Sequence, residues 1–508
     1  MNRKSLAAIG AVLFGIGTGA GFCGSHPKMK PVQQRSASKI LQPVRIDAAK
    51  YPGTLIGMQY ETYFTPHNTV WSGKNETAVT SLQQGTQEAI PILGEYSSFD
   101  VATLKTHEQW FEDLGINWLL LDWSNLLAMK PVWEEHQGAT QELEQSTALL
   151  FKTYSQLLKD GKHPPKLVIM LGLGAGSPAD MARINKIVQW TTTNFFSKPE
   201  FKNLWLYYHG KPLLTILYFP GRPCEDLEHV LHRTPLQAPD WTIRWMASQL
   251  QDNHAERCGM WSWMDGSIRQ VVTNYNGIPE ETVVTPASFP LTVAPDGGWL
   301  GSLAVGKDHG TPYLESWKVV FESRPKFIQI HQWNEFSGQG KGDGAGPKHN
   351  IYGDEYSPEL SDDIEPTKVN GCGYRGCGGW GYYYMNLTRA LISLYRATTP
   401  DITVMALSAP FNPAAVKTVQ LNLHWVILGK QPVGFQLLLD GKLIARNIHG
   451  ESHVLNLSGV TPGKHTVTLV AIGAHTYFDL DPLKMAVRSP TPVPVESTIE
   501  FRYAPVHP

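Results

Sequence analysis

Between Leu55 and Gln332 the chain repeats one pattern. Short runs that are apolar almost throughout alternate with longer stretches whose apolar residues fall three and four apart. The short runs are Leu55–Glu61, Asn117–Asp122, Lys166–Gly172, Pro212–Tyr218, Thr242–Ala247, Met260–Met264, Thr282–Ala287 and Phe327–Gln332. A strand covered on both faces needs such continuity, whereas a half-exposed strand alternates. The longer stretches read as helices. Asp100 caps one whose apolar face is Val101, Leu104, Phe111 and Leu114, with Gly115 closing it. Leu143, Leu150, Tyr154, Leu157 and Leu158 mark another that ends near Gly161, and Tyr382 to Arg396 a last one beside the first strand. Eight buried strands with interleaved helices predict an α/β fold, a (β/α)₈ TIM barrel over residues 51–399.

Helical periodicity stops near Pro400. Alternating runs follow at Thr418–Val426, Val433–Leu439, Ser452–Leu457, Lys464–Ile472 and Ser497–Tyr503, separated by turns such as Asp440-Gly441 and Pro462-Gly463. They predict a C-terminal antiparallel β-sandwich, Ig-like, over residues 400–508. Its expected role is packing against the barrel, ahead of binding sugar itself.

Composition narrows the partners. At 42% hydrophobic and 17% charged residues the chain is globular. With a net charge of -2 and no basic stripe, nothing points to a nucleic-acid partner, and none is expected. Asn2-Arg3-Lys4, the apolar stretch from Leu6 to Phe22 and the small residues at Cys23-Gly24-Ser25 read as a signal peptide over residues 1–25, followed by a linker over 26–50. The expected location is therefore secreted, periplasmic or at the cell surface. Cys23 is a candidate lipid anchor; no other segment is apolar enough for stable membrane insertion. Cys224, Cys258, Cys372 and Cys377 remain after the signal, an even number that suits an oxidising compartment. Three pairings are open, with a local Cys372–Cys377 bridge foremost. Asn-x-Ser/Thr triplets stand at Asn75, Asn386 and Asn456. Nucleophile-elbow, zinc-protease and phosphate-loop motifs are missing, so no cofactor and no metal are expected.

The chemistry gathers where the strands end, at the carboxyl face on which (β/α)₈ enzymes carry their sites. Tyr60-Glu61 follows the first strand and Asp122-Trp123-Ser124-Asn125 the second. Trp263-Met264-Asp265 lies at the sixth and Trp333-Asn334-Glu335 at the eighth. Glu95-Tyr96 lies in the first connection. Acids beside aromatics suit a sugar: acids move protons, amides hold hydroxyls, flat rings stack on the ring face. Blander readings exist for single residues. Asp122 suits a cap or an ion pair, Asp265 opens a turn with Gly266, and His331 reads as a packed core histidine. The segment from Tyr352 to Pro366 carries six acids after a Gly-rich stretch. It lacks the spacing of a calcium loop and reads as a solvated loop or one that returns Glu365 toward Glu335.

In order, Leu93-Gly-Glu-Tyr-Ser-Ser-Phe-Asp100, Gly115-Ile-Asn-Trp-Leu-Leu-Leu-Asp122-Trp-Ser, Trp333-Asn-Glu-Phe336 and Asp363-Ile-Glu-Pro366 resemble elements of the glycoside hydrolase family 99 and family 71-like (WbsX-like) barrels. The resemblance runs from about Leu55 to Arg396. It implies a (β/α)₈ glycosidase acting on α-linked glycans. That family is understood to use glutamates spaced Asn-Glu-x-x-Glu, the first assisting attack by the substrate's own 2-hydroxyl, the second acting as general acid. Glu335 matches the first; Gly338 stands at the second.

The expectation is thus an exported glycoside hydrolase with Glu335 as base or nucleophile. The acid would come, in order, from Glu365, Asp122 or Glu61. Asn334 and Asn125 would hold sugar hydroxyls, Tyr60, Tyr96, Trp123, Trp263 and Trp333 would stack, and Glu95 and Asp265 would line the cleft. The rival is a non-catalytic glycan-binding protein on the same barrel.

Overall fold

The structure is a computed structural model and describes residues 45–65, 88–124, 136–173, 176–218, 224–247, 259–264, 270–288, 305–336, 357–373, 376–409 and 415–505. Eight parallel strands form the barrel: β1 (Leu55–Tyr60), β2 (Trp118–Trp123), β3 (Lys166–Leu173), β4 (Lys211–Tyr218), β5 (Thr242–Ala247), β6 (Trp261–Ser262), β7 (Ile278–Val284) and β8 (Phe327–Ile330). Each overlaps one of the apolar runs. β1 pairs β2, with Gly57 opposite Trp118, and β8 returns to β1, with Phe327 opposite Leu55. Among the described residues no backbone ladder joins β6 to β7; there the Glu281 carboxylate takes the Ser262 N–H at 2.9 Å.

Period-two alternation sorts each strand. Ile56, Met58 and Tyr60 on β1, like Leu119, Leu121 and Trp123 on β2, face outward into the layer shared with the helices. Leu55, Trp118, Leu120, Val168, Met170, Trp261 and Phe327 face inward and fill the lower barrel. Gly57 makes room for this plug, since a Cβ there would stand 2.1 Å from the Trp118 ring.

The outer helices are α1 (Val101–Leu114), α2 (Gly138–Lys159), α3 (Pro178–Thr191), α4 (Cys224–Arg233), α5 (Thr311–Ser323) and α6 (Tyr383–Arg396). Asp100 caps α1 through the Ala102 N–H, and Gly115 ends it at φ 80°. α6 is tied to the start of the barrel, with Arg396 donating to the Gly115 carbonyl and Asn117 Oδ1. No helix among the described residues is long and apolar enough to cross a membrane.

The sandwich comprises β9 (Thr403–Ser408), β10 (Gln420–Gly429), β11 (Gly434–Leu439), β12 (Lys442–Ile448), β13 (Ser452–Asn456), β14 (Gly463–Thr476) and β15 (Val493–Tyr503). One sheet runs β9-β10-β13, the other β12-β11-β14-β15, all antiparallel. Inward residues such as Leu407, Trp425, Leu437, Leu469 and Ile499 form its core. The outer face of β9 and β10, with Val404, Ala406, Val426 and Leu428, joins the barrel's helical layer instead. This explains why β9 is buried throughout.

Two details bear on the sequence reading. Cys372 and Cys377 stand opposite each other in a two-stranded ribbon. Asn386 is buried: it donates to the carbonyls of Asp481 and Lys484 and accepts the Ala486 N–H. It is thus no acceptor for a glycan in the folded chain.

Candidate active site

Three carboxyl groups converge where β1, β2 and β8 end. Glu61 follows the last residue of β1, with the same inward parity as Gln59. Its carboxylate takes a hydrogen from Gln59 Nε2 at 3.3 Å. Asp122, inward on β2, meets the same nitrogen at 3.2 Å through Oδ2, while its Oδ1 accepts the Ser124 N–H at 2.6 Å. Glu335, two residues beyond the Trp333 N–H that bonds to the Gln59 carbonyl, accepts from Gln332 Nε2. Gln332 Oε1 in turn accepts from Gln59 Nε2 at 2.9 Å.

Burial raises the proton affinity of two of these groups. Asp122, 8% exposed, is pushed up to about 6 by desolvation, against the opposing pull of Ser124. Glu61 is raised well above the usual carboxylate range, first by desolvation, then by the charges of Asp122 and Glu335; Gln59 opposes the rise. Glu335 is only half-buried. Its backbone is fixed from below: Asp363 accepts the N–H groups of Glu335 and Phe336, and Tyr63 Oη donates to the Glu335 carbonyl. Phe336, buried, sits at φ 53°, a left-handed turn that a non-glycine residue adopts only when held. The chain thus bends sharply just past Glu335.

Asn334 does not reach a groove. It is buried, its Oδ1 takes the Glu61 N–H at 2.8 Å, and its Nδ2 donates to the Glu61 carbonyl at 3.3 Å and to Tyr96 Oη at 3.0 Å. Its polar atoms serve to hold Glu61, which corrects the expectation of a sugar contact. Glu365 is likewise a correction. Its side chain has no exposure; Tyr96 Oη donates to it at 2.6 Å, and His107 Nε2 lies 3.2 Å away. His107 Nδ1 stands 3.0 Å from Tyr60 Oη. Glu365 therefore sits behind the strands, under α1, closed off from a substrate oxygen.

The aromatic expectations divide by parity. Tyr60 packs edge-on against His107 and Phe111; Trp333 packs on His107, Trp110 and Phe111. Trp123 donates to Thr147 and packs on Trp190 and Phe195. All three are at most 2% exposed and face the helices, so they offer no face to a sugar. Tyr96 is buried with its hydroxyl engaged. Trp263 alone of the five is partly exposed, edge-on to His331, with its indole N–H on Gln59 Oε1 at 2.9 Å. Glu95 is exposed on the loop before α1. Asn125 and Asp265 lie outside the described residues.

His331 is a core residue, as its position predicts. It is buried, its Nδ1 lies 2.8 Å from Gln59 Oε1, and burial pulls its pKa down to about 3. Asp362 Oδ2 is 3.7 Å from its Nε2, beyond hydrogen-bond reach. Sequence reasoning missed Gln59 and Gln332. Their signal was present: polar amides at inward positions near the carboxyl ends of otherwise apolar runs. Among the described residues no group of three His, Cys, Asp or Glu side chains is arranged to hold a metal ion. The arrangement can do proton chemistry: a half-exposed carboxylate faces two buried carboxyls that hold protons readily.

No protein-family model matches the chain, and no curated protein does. Among solved structures, the chain is similar to a GH99 endo-alpha-mannosidase from Bacteroides thetaiotaomicron, at 14% identity and a TM-score of 0.45, covering 69% of this chain and 98% of that one. An FMN-binding beta-glucuronidase from Facaelibacterium prausnitzii aligns at 10% identity and 0.40, over 91% and 59%. An endo-beta-1,4-mannanase from Thermotoga petrophila aligns at 9% and 0.30, over 91% and 100%. Likeness at this level does not extend to activity or substrate.

Proposed function

We propose that the chain is an exported glycoside hydrolase that cleaves O-glycosyl bonds of a polysaccharide or glycan by carboxylate acid–base chemistry. One observation carries the reading. Glu61, Asp122 and Glu335, delivered by three barrel strands to the carboxyl face, share one hydrogen-bonded network, and of the three carboxyls only Glu335 is half-exposed. Glu335 acts at the anomeric carbon, as base toward water or as nucleophile. Asp122 or Glu61 supplies the proton: the glycosidic C–O bond breaks, its electron pair stays on the leaving oxygen, and that oxygen takes the proton. Glu365, Tyr96 and Asn334 act behind them as positioning groups. Trp263 offers the stacking face.

The α-linkage follows from the sequence resemblance alone. Export is supported by the basic and apolar N-terminal pattern and by Cys372 facing Cys377 across a ribbon, which suits a bridge formed in an oxidising compartment. The test is hydrolysis of α-glucan, α-mannan and sulfated polysaccharides by the wild type and by Glu335→Gln, with the product anomer read by NMR. Turnover by the wild type that survives Glu335→Gln removes Glu335 from the mechanism. A second reading, a glycan-binding protein without catalysis, is favoured by Gly338 standing where the resembling family has its acid. Retention of a glycan with no release of reducing ends would establish it.

A further inference from the structure

Gln59 stands at the crossing of five contacts, and one of them fixes the direction of the rest. The indole N–H of Trp263 only donates. The amide atom of Gln59 that meets it at 2.9 Å is therefore the oxygen, which also faces His331 Nδ1. Nε2 must then point at Glu61, Asp122 and Gln332. The same logic passes along the chain. Gln332 accepts from Gln59 through Oε1, so its own Nε2 faces Glu335. Two amides that could each lie either way round are oriented by one indole.

The hydrogen count does the rest. Gln59 Nε2 carries two hydrogens and meets three acceptors. The shortest contact, 2.9 Å, goes to Gln332. One hydrogen is left for Glu61 at 3.3 Å and Asp122 at 3.2 Å together. Both carboxyls are buried, and Asp122 has besides only the Ser124 contact among the described residues. A lone donor between two buried carboxyls does not support two negative charges.

We propose that Gln59 and Gln332 form a one-way donor relay, directed by the Trp263 N–H, that keeps Glu335 ionised and leaves Glu61 and Asp122 with a single proton between them. The acid and base roles are thereby separated by two neutral amides. The proton states stand independently; only their use in cleaving a glycan rests on the hydrolase reading. Among the described residues the other titratable groups facing this cluster are Tyr60 beside Glu61, with Glu365, Tyr96 and His107 beyond it, His331 and Asp362 behind Gln59, and Tyr63 and Asp363 at the Glu335 backbone. Among the described residues no lysine or arginine is hydrogen-bonded or ion-paired to Glu61 or Asp122.

The test uses the full chain and two variants. Gln59→Met removes the relay while keeping the side chain's length. Trp263→Phe keeps both amides but releases their direction, so that they can invert and turn the Gln332 oxygen on Glu335. Infrared difference spectra of each background against its own Glu335→Gln variant, and against its own Glu61→Gln, Asp122→Asn double variant, report the ionisation of Glu335 and of the pair without any turnover. In the wild type, one protonated carboxyl is expected to vanish in the double variant near neutral pH, with Glu335 ionised. In Gln59→Met the Gln332 amide loses the donor that fixes its direction, and its inversion moves the ionisation of Glu335 upward by up to roughly one to two pH units, the worth of the hydrogen bond it then ceases to donate. Trp263→Phe shifts it the same way. Where a glycan is cleaved, the acid limb of kcat/KM follows the same shifts.

Unchanged carboxyl bands in both variants, with native near-ultraviolet dichroism, overturn the relay. If Gln59→Met fails to fold, the half-exposed Trp263→Phe decides. Shifted bands with no glycan cleaved by the wild type leave the relay standing and remove the hydrolase reading. Cleavage with unshifted bands and limbs does the reverse.

Discussion

The two ends of the barrel treat a buried carboxylate in opposite ways. At the floor, Glu280 on β7 receives Arg244 twice, at 2.7 and 2.8 Å, with Tyr208 Oη at 2.6 Å and the Trp261 indole at 2.8 Å. Arg244 is also covered by the Tyr275 ring at 4.0 Å. Burial alone would raise Glu280, but these partners outweigh it and hold the group below its ordinary range. At the mouth, Glu61 and Asp122 share one amide nitrogen, and both are raised. Low exposure at all three carboxyls thus accompanies a fixed anion where a cation and two further donors meet it, and a proton reservoir where they do not. Structural and reactive carboxylates differ in their partners more than in their depth.

The contrast can be broken experimentally, and the largest effect is expected at Glu335. Replacing it by Gln should lower turnover about 10²- to 10⁴-fold while leaving the melting temperature unchanged, because the half-exposed group holds little of the fold together. A large loss of stability would place Glu335 with Glu280 as a structural acid. Next, Arg244→Met leaves Glu280 buried without its cation. Such a break costs about 3–5 kcal/mol, readable by denaturant unfolding, and the pH limbs of any activity should stay where they are.

The third effect has opposite signs at the two ends. Asp122 rises from 3.8 to about 6 on folding. Its stabilising contribution is therefore full below pH ~4 and is lost as pH climbs through 6. Glu280, lowered from 4.5, contributes above that value and loses its effect on acidification. Asp122→Asn should then be more stable than the wild type at pH 8, on the order of 3 kcal/mol, and level with it at pH 4. Equal melting at both pH values would refute the reservoir. The smallest effect is predicted for Trp123→Phe, which faces helices: a KM for any cleaved glycan within about twofold of the wild type, whereas Trp263→Phe should raise it further.

The barrel was legible because its strands are covered on both faces, which writes each as an unbroken apolar run. The same continuity hid the site. In such a run neighbouring residues face opposite ways, so an aromatic next to an acid is evidence against a shared cleft. Tyr60 beside Glu61 and Trp123 beside Asp122 show this, both rings turning into the helical layer. Gln59 gave itself away only by inward parity. Glu365 and Asp363 sit beyond a long connection, and no local pattern says that one ends under α1 and the other beneath Glu335. In the sandwich, β12 was missed because Lys442, Arg446 and Asn447 break its alternation on an exposed edge. β9 was missed because, buried on both faces, it does not alternate at all.

The plug formed by Leu55, Trp118, Trp261 and Phe327, which Gly57 makes possible, has a consequence for traffic. On the hydrolase reading, a sugar chain that arrived at Glu335 could not thread onward through the middle of the ring of strands. Both fragments would leave by the rim at which they arrived, so the departing piece and the incoming one would compete for the same doorway.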